Sequence, residues 1–337
     1  MTIYDISEKA GVSIATVSRV LNGSNNVSAK TKQKVLDVIQ QYEYTPNVFA
    51  RGLGLNTMKT IGLLCPDSSD LYIAKAIYYL EQFLRANGYD SILSCSGYEL
   101  INQKKSMELL INKKVDGIIL VGSMYINEDP KDNLYIEEAA AQVPVMLLNA
   151  ALDAPNVYST LSDDFASVYN ATMSLINAGV QDILYYHNAY SYCGKRKIAG
   201  YKAAIEISGQ PFRDDMIQYY SGNREDIPQM AEHLKNIFDT IAPFHGVIAA
   251  EDTLALGALK FAVDTGLKVP EDLSIIGYNN SMLVNCCQPP LTSIDNKLEI
   301  LCKYLIDTLM KVLSSAEDTP ASKTVFSGEL IKRGTTI

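Results

Sequence analysis

The chain of 337 residues contains no apolar run of the ~18 residues a membrane-spanning helix needs. Its N-terminus has no signal-peptide core, because Asp5, Glu8 and Lys9 interrupt it. The expectation is a cytoplasmic protein with no membrane partner. Organised cysteine chemistry is also missing. Cys65, Cys95, Cys193, Cys286, Cys287 and Cys302 form no CxxC pair and no metal-ligand spacing, so idle or buried thiols are expected. Nucleotide cradles lack support: no GxGxxG follows the first strand, and no GxxxxGK[ST] occurs. The three histidines, His187, His233 and His245, are scattered without HExxH spacing, and there is no GxSxG elbow. Nothing here argues for an enzyme, a metal or a cofactor.

What is present is ordinary for a chain that buries a full core: 47% apolar and 20% charged residues. The length suggests roughly two domains with a small appendage. Charge is uneven. Residues 1–58 carry a balance of +2, whereas the whole chain is -9. A mildly basic head on an acidic body suits a local contact with a polyanion that the body itself would repel.

The head reads as three short helices. Thr2 is placed to cap the first, with Asp5 three residues on as in a capping box, and Ile6 and Ala10 face inward. Gly11 breaks it. Ser13 caps a second helix whose Val17, Val20 and Leu21 share a face, ended by Asn22-Gly23. Ser28 caps a third, with Val35, Val38 and Ile39 inside and Pro46 as its stop. Helix, tight glycine turn, helix and bracing helix is the helix-turn-helix arrangement. The following segment, 47–58, has helical spacing but two glycines, each costing about 1 kcal/mol against alanine. It reads as a linker that is helical only in the right context.

Beyond residue 59, short apolar runs alternate with amphipathic stretches. The runs are "TIGLLCP", "DSILSCS", "DGIILVG", "VPVMLLN", "DILYYHN", "MIQYY", "GVIAAED" and "LSIIGYN". This is the pattern of βα units on parallel sheets covered on both faces. Periodicity alone leaves open one barrel or two doubly wound sheets.

Several stretches resemble a known family. "TIYDISEKAGVSIATVSRVLNG", "VSAKTKQKVLDVIQQYEYTPN" and "ARGL" look like the DNA-binding head and hinge of the LacI/GalR (lactose/galactose repressor) family. In the body "KKVDGIILVGS", "KIAGYKAAI", "AAEDTLALGALKFAVDTGLKVPEDLSIIGYNNS" and "PPLTSID" follow in the expected order. The resemblance covers essentially the whole chain. It implies an α/β fold class: a helix-turn-helix head (1–46), a hinge (47–58) and an effector-binding and dimerisation body (59–337) of two Rossmann-like subdomains of periplasmic-binding-protein type. The boundaries expected are about 59–160 plus 291–320 for the first subdomain, and 161–290 plus 321–337 for the second.

The resemblance also implies a function: a transcriptional regulator, most often a repressor, that binds a pseudo-palindromic double-stranded operator as a homodimer under control of a small-molecule effector of the carbohydrate class. In such a head the second helix enters the major groove. Ile14 and Ala15 stand at base-reading positions, and Arg19 is one turn on, able to offer two donors to a guanine. Ser13, Thr16 and Ser18 suit phosphate oxygens. Asn22, Asn47 and Ala50 complete the implied DNA contacts, with Leu53 as a minor-groove wedge. No Leu-heptad tail follows the C-terminal helix, so a dimer is the default.

For the effector, the resemblance points to strand-end positions Asp67, Ser69, Tyr72, Asn149, Lys197, Tyr220, Glu251 and Asn279. Lys197 stands where Arg is usual, Asn279 where Asp is frequent and Glu251 where Asn is common. Glu251 and Lys197 are therefore expected to pair and bracket a small ligand. Two other readings remain open: a solute-binding protein with a vestigial head, against which the intact "ATVSR" speaks, and a sugar- or nucleotide-modifying enzyme, for which the sequence offers no catalytic constellation.

Overall fold

A computed structural model describes residues 1–21, 26–44, 57–314 and 318–337. The head is three helices, α1 (Ile3–Ala10), α2 (Ile14–Leu21) and α3 (Ala29–Gln41). Their starts follow from local chemistry. The Thr2 side chain accepts from Asp5 N while the Asp5 carboxylate accepts from Thr2 N at 2.7 Å, a complete capping box. Ser13 Oγ accepts from Thr16 N at 3.2 Å, and Ser28 Oγ from Thr31 N at 3.3 Å. Gly11 ends α1 in the left-handed region at φ 57°, the conformation that glycine adopts at least cost. Ile6, Ala10, Val17, Val20 and Val35 close the small core; Leu21, Val38 and Ile39 flank it half-buried.

The body holds twelve strands and eight further α-helices among the described residues. In chain order these are β1 (Thr60–Cys65), α4 (Leu71–Ala86), β2 (Asp90–Cys95), α5 (Leu100–Asn112), β3 (Gly117–Val121), α6 (Leu134–Ala140), β4 (Val145–Leu148) and β5 (Val157–Ser162). Then come α7 (Asp164–Asn177), β6 (Ile183–His187), α8 (Tyr192–Ser208), β7 (Ile217–Tyr219), α9 (Ile227–Thr240), β8 (Gly246–Ala249), α10 (Asp252–Thr265) and β9 (Ser274–Tyr278). The chain finishes with β10 (Thr292–Asp295), α11 (Leu298–Leu313), β11 (Lys323–Phe326) and β12 (Glu329–Ile331).

The strands form two six-stranded sheets, ordered β11-β5-β4-β3-β1-β2 and β12-β10-β9-β8-β6-β7. The first is parallel throughout, and the second is parallel except for β12 against β10. Side chains alternate across each sheet. In the first, Ile61, Leu63, Ile119 and Met146 meet α4 and α11, while Leu64, Ile118, Leu120 and Leu147 meet α5 and α6. In the second, Leu184, Tyr186 and Val247 meet α9 and α10, while Ile183, Tyr185 and Ile248 meet α7 and α8. Both faces are covered, which decides between the two architectures in favour of two doubly wound sheets.

One expected boundary differs. The resemblance places about 291–320 in the first subdomain and 321–337 in the second, yet β10 pairs in the second sheet and β11 in the first. The reason is hydrogen bonding at long range. Thr292–Ile294 align with Ile276–Tyr278, and Lys323–Phe326 align with Ser159–Ser162, pairings that no local pattern records.

Candidate functional site

The exposed face of α2 is one candidate. Ser13, Ile14, Ala15 and Arg19 are exposed, and Thr16 and Ser18 are half-buried. Ile14 is 40% exposed, so it is not part of the head's core, which Val17 and Val20 already fill. A large aliphatic on an open face beside an unshielded guanidinium is suited to meeting base edges rather than water alone. Ser13 Oγ and Thr16 Oγ1 lie 2.9 Å apart at the N-terminal end of the helix. Asn22, Asn47, Ala50 and Leu53 lie outside the described residues.

The second candidate is a cleft between the two sheets, at the C-terminal ends of their strands. Of the eight effector candidates, Tyr72, Asn149, Lys197, Glu251 and Asn279 line it. Asn149 ends β4 in a left-handed conformation at φ 61°, its Nδ2 donates to Tyr72 OH, and its Oδ1 accepts from Ser162 N at 3.2 Å. Asn279 ends β9 at φ 94° and its Oδ1 accepts from Asn296 Nδ2 at 3.0 Å.

Lys197 does not take up the expected pairing with Glu251. Its Nζ donates to Ala250 O at 3.0 Å and sits 3.5 Å above the centre of the Tyr278 ring, a cation–π contact. This placement depends on close helix packing. A Cβ on Gly200 of α8 would fall 2.3 Å from Phe165 O of α7, so only glycine lets the two helices approach this closely. Glu251 instead accepts from Asn188 Nδ2 at 2.6 Å and Thr253 Oγ1 at 2.9 Å. Burial raises its pKa above 4.5, with the nearby Asp70 carboxylate adding to the shift; Arg224 and the two hydrogen bonds oppose it.

Three candidates fall elsewhere. Asp67 folds onto its own loop, accepting from Ser69 N at 2.9 Å and Ser69 Oγ at 2.8 Å. That bonding holds the Asp67 carboxyl below the usual carboxylate range and occupies both side chains outside the cleft lining. Asp70 lines the cleft in their place, capping α4 through Tyr72 N and Ile73 N. Tyr220 is 3% exposed in the core of the second subdomain, against Tyr186 and His233, its hydroxyl donating to Gln229 Oε1 at 2.6 Å. It offers no ring to a ligand.

The structure also brings in residues that the sequence reading did not single out. Arg224 Nη1 reaches Asp70 Oδ2 at 3.4 Å across the cleft and lies over the Tyr98 ring. Asp164 accepts from Tyr278 OH at 2.5 Å. Asn188 closes β6 and was open to the same strand-end rule that gave Asn149. Arg224 and Tyr98 sit on loops with no local signal. Further bridges join the two halves: Ser123 Oγ donates to Ser191 Oγ at 2.8 Å, Cys193 Sγ to Asn149 O at 2.9 Å, and Lys195 pairs with Glu128.

Comparison with known proteins bears on both candidates. Residues 2–47 match the family model described as bacterial regulatory proteins, lacI family. Residues 58–329 match the one described as periplasmic binding proteins and sugar binding domain of LacI family. The chain is 53% identical over 336 residues to an HTH-type transcriptional regulator of Lachnoclostridium phytofermentans, covering 100% of this chain and 99% of that protein. It is 33% identical over 305 residues to catabolite control protein A of Priestia megaterium, covering 87% of each. Its fold matches a lac repressor dimer bound to operator and the anti-inducer ONPF with a TM-score of 0.86, at 24% identity over 100% of this chain and 99% of that one. With the head and the two-sheet body each matched along nearly their whole length, the chain belongs to the LacI family, and it is a DNA-binding transcriptional regulator with a domain of the sugar-binding type.

Proposed function

We propose that this regulator is an effector-gated repressor that holds a pseudo-palindromic operator as a homodimer and changes its operator affinity when a sugar or sugar derivative fills the cleft. The observation that carries the reading is the cleft itself, lined from both subdomains and spanned by Arg224–Asp70 and Ser123–Ser191. A ligand held by both walls binds the closed arrangement better than the open one. That difference in affinity is what shifts a conformational equilibrium.

On the DNA side, Ile14, Ala15 and Arg19 read base edges while Ser13, Thr16 and Ser18 meet phosphates. Asn22, Asn47, Ala50 and the wedge Leu53 complete the set by resemblance. On the effector side Tyr72, Asn149, Lys197, Glu251 and Asn279 are the assigned contacts. The domain division proposed is 1–46, 47–58 and 59–337.

The test is selection from randomised duplex DNA with the full-length protein at about 0.15 M salt, where non-specific phosphate binding is weak. It is run with and without a panel of sugars. A palindrome with a flexible pyrimidine–purine centre, enriched or lost on adding a sugar, is the expected result. By linkage, operator DNA must then change the affinity for that sugar by the same factor. No enrichment under any condition sinks the operator reading and returns the body to the status of a plain solute binder.

A further inference from the structure

The six cysteines, all free thiols, divide into two groups. Cys193, Cys286, Cys287 and Cys302 each turn the sulfur toward a main-chain carbonyl, those of Asn149, Met282, Val284 and Ala76 respectively. Cys65 and Cys95 turn theirs toward each other, with the Sγ atoms 3.6 Å apart. They are register partners on adjacent parallel strands, the last residues of β1 and β2. Neighbouring strands lie ~4.8 Å apart, inside the Cα range of ~4.4–6.8 Å that a disulfide spans. β2 is the edge of its sheet, so its end is held from one side only. Closing the gap between the sulfurs needs side-chain rotation and a small shift of that edge.

The two thiols are unequally exposed. Cys65 is fully buried in the core of the first subdomain, and burial, with the Cys95 sulfur adding to it, pushes its thiol up to about 12. Cys95 is exposed. An attacking thiol at the surface with a resolving thiol behind it is the arrangement of a redox-sensitive pair. Position adds a consequence. Past the strand ends, Ser96 N donates to Cys65 O at 2.9 Å and Gly97 N to Pro66 O at 3.0 Å, so the two chains leave the sheet side by side. One runs on to Asp70 and the other to Tyr98, the two residues that hold Arg224 at the cleft.

We propose that Cys65 and Cys95 form a peroxide-reactive dithiol that closes to a reversible disulfide at the rim of the cleft, displacing the loops that hold Arg224. In the first step the Cys95 thiolate attacks one oxygen of hydrogen peroxide. An S–O bond forms, the O–O bond breaks, and the departing hydroxide takes up a proton as water. In the second step Cys65 Sγ attacks the Cys95 sulfenic sulfur. The S–S bond forms, the S–O bond breaks, and hydroxide leaves with the Cys65 proton as a second water. Two thiols lose two electrons, and one peroxide is reduced to two waters. Exchange with an external dithiol restores the pair.

The experiment treats the full-length protein with hydrogen peroxide, then reads intact mass and cysteine-containing peptides with and without dithiothreitol. Loss of two hydrogens, mapped to a peptide joining Cys65 to Cys95 and reversed by the dithiol, is expected. Cys65→Ser is expected to stop at a Cys95 sulfenic acid that dimedone traps. Because Cys65 is in the core, the exposed Cys95→Ser is the second variant, and it is expected to form no disulfide and to leave Cys65 unmodified. A disulfide joining two copies through Cys95, over-oxidation of Cys95 with Cys65 still a thiol, or oxidation confined to Cys286 and Cys287 each overturns the dithiol. Hydrogen exchange of residues 66–73 and 96–100 is expected to differ between the reduced and oxidised forms. Identical exchange in the two forms overturns the link to the cleft.

Discussion

Tyr220 and Glu251 were reached by the same reasoning, as polar groups near strand ends, and the structure gives them opposite surroundings. Tyr220 turns inward to Gln229 and Asn223 O. Tyr220→Phe is expected to cost about 1 kcal/mol of stability, the net worth of a typical buried hydrogen bond, and to leave sugar affinity unchanged; denaturant melts and calorimetry check the two halves. Glu251 faces the cleft beside Asp70, Arg224, Asn188 and Thr253. Its folded pKa is raised above 4.5, so folding favours its protonated form. The stability this contributes is present below the unfolded value and is lost as pH rises through the folded one. Ligand-free Glu251→Gln is therefore expected to melt above the parent at neutral pH, with the gap closing below about pH 4.5, where the glutamate is neutral in both states. A gap that is constant with pH would mean the glutamate's charge is not what burial penalises. On the DNA face, Arg19→Ala should cost roughly 1–3 kcal/mol on the preferred operator and relax selectivity at one base pair per half-site. Equal loss on random DNA would make Arg19 a phosphate contact.

At the scale of elements, the head was legible because its signals are short-range. A cap, a glycine and an inward face three to four residues apart are enough to define each helix, and Thr2, Ser13 and Ser28 cap as read. Ser28→Ala is expected to remove about 1 kcal/mol from the head, seen in its melting and not in the body's. Eight strands were equally legible, since each is a compact apolar run between amphipathic helices. Four were not: β5, β10, β11 and β12. These carry hydroxyls or charges in place of a continuous apolar run, as in "VYSTLS", "TSID", "KTVF" and "ELI". Ser159, Thr160 and Ser162 of β5 are nonetheless buried, as are Thr292 and Ser293 of β10. Their polar groups are covered by elements far along the chain; Ser293 Oγ, for example, donates to Asp252. Missing β5 also meant missing Asp164 just beyond it, although a carboxylate after a strand is the kind of residue the strand-end rule selects.

At the scale of the molecule, the bridges across the cleft are of unequal worth. Lys195 and Glu128 are both substantially exposed, so their pair is screened and weak. Glu128→Gln is expected to change sugar affinity no more than a few-fold, with the difference vanishing at high salt. The Arg224–Asp70 pair is more enclosed and also touches the Tyr98 ring. Arg224→Ala therefore removes a wall of the cleft as well as a latch, and its affinity loss should persist in salt.

The sequence by itself determined the helices of the head, the alternation of strand and helix in the body, and the exposed face of α2 that carries Ile14 and Arg19. Each of those rests on contacts within a few residues, where cap chemistry and periodicity operate. Only the tertiary structure decided which strand ends meet. Pairing β10 with β9 and β11 with β5 sends the chain across the cleft three times, and that path sets Asp164, Asn296, Arg224 and Asp70 around one space. Hydrogen bonding between strands far apart in the chain leaves no periodic trace in any one of them, which is why the cleft's lining had to be seen assembled.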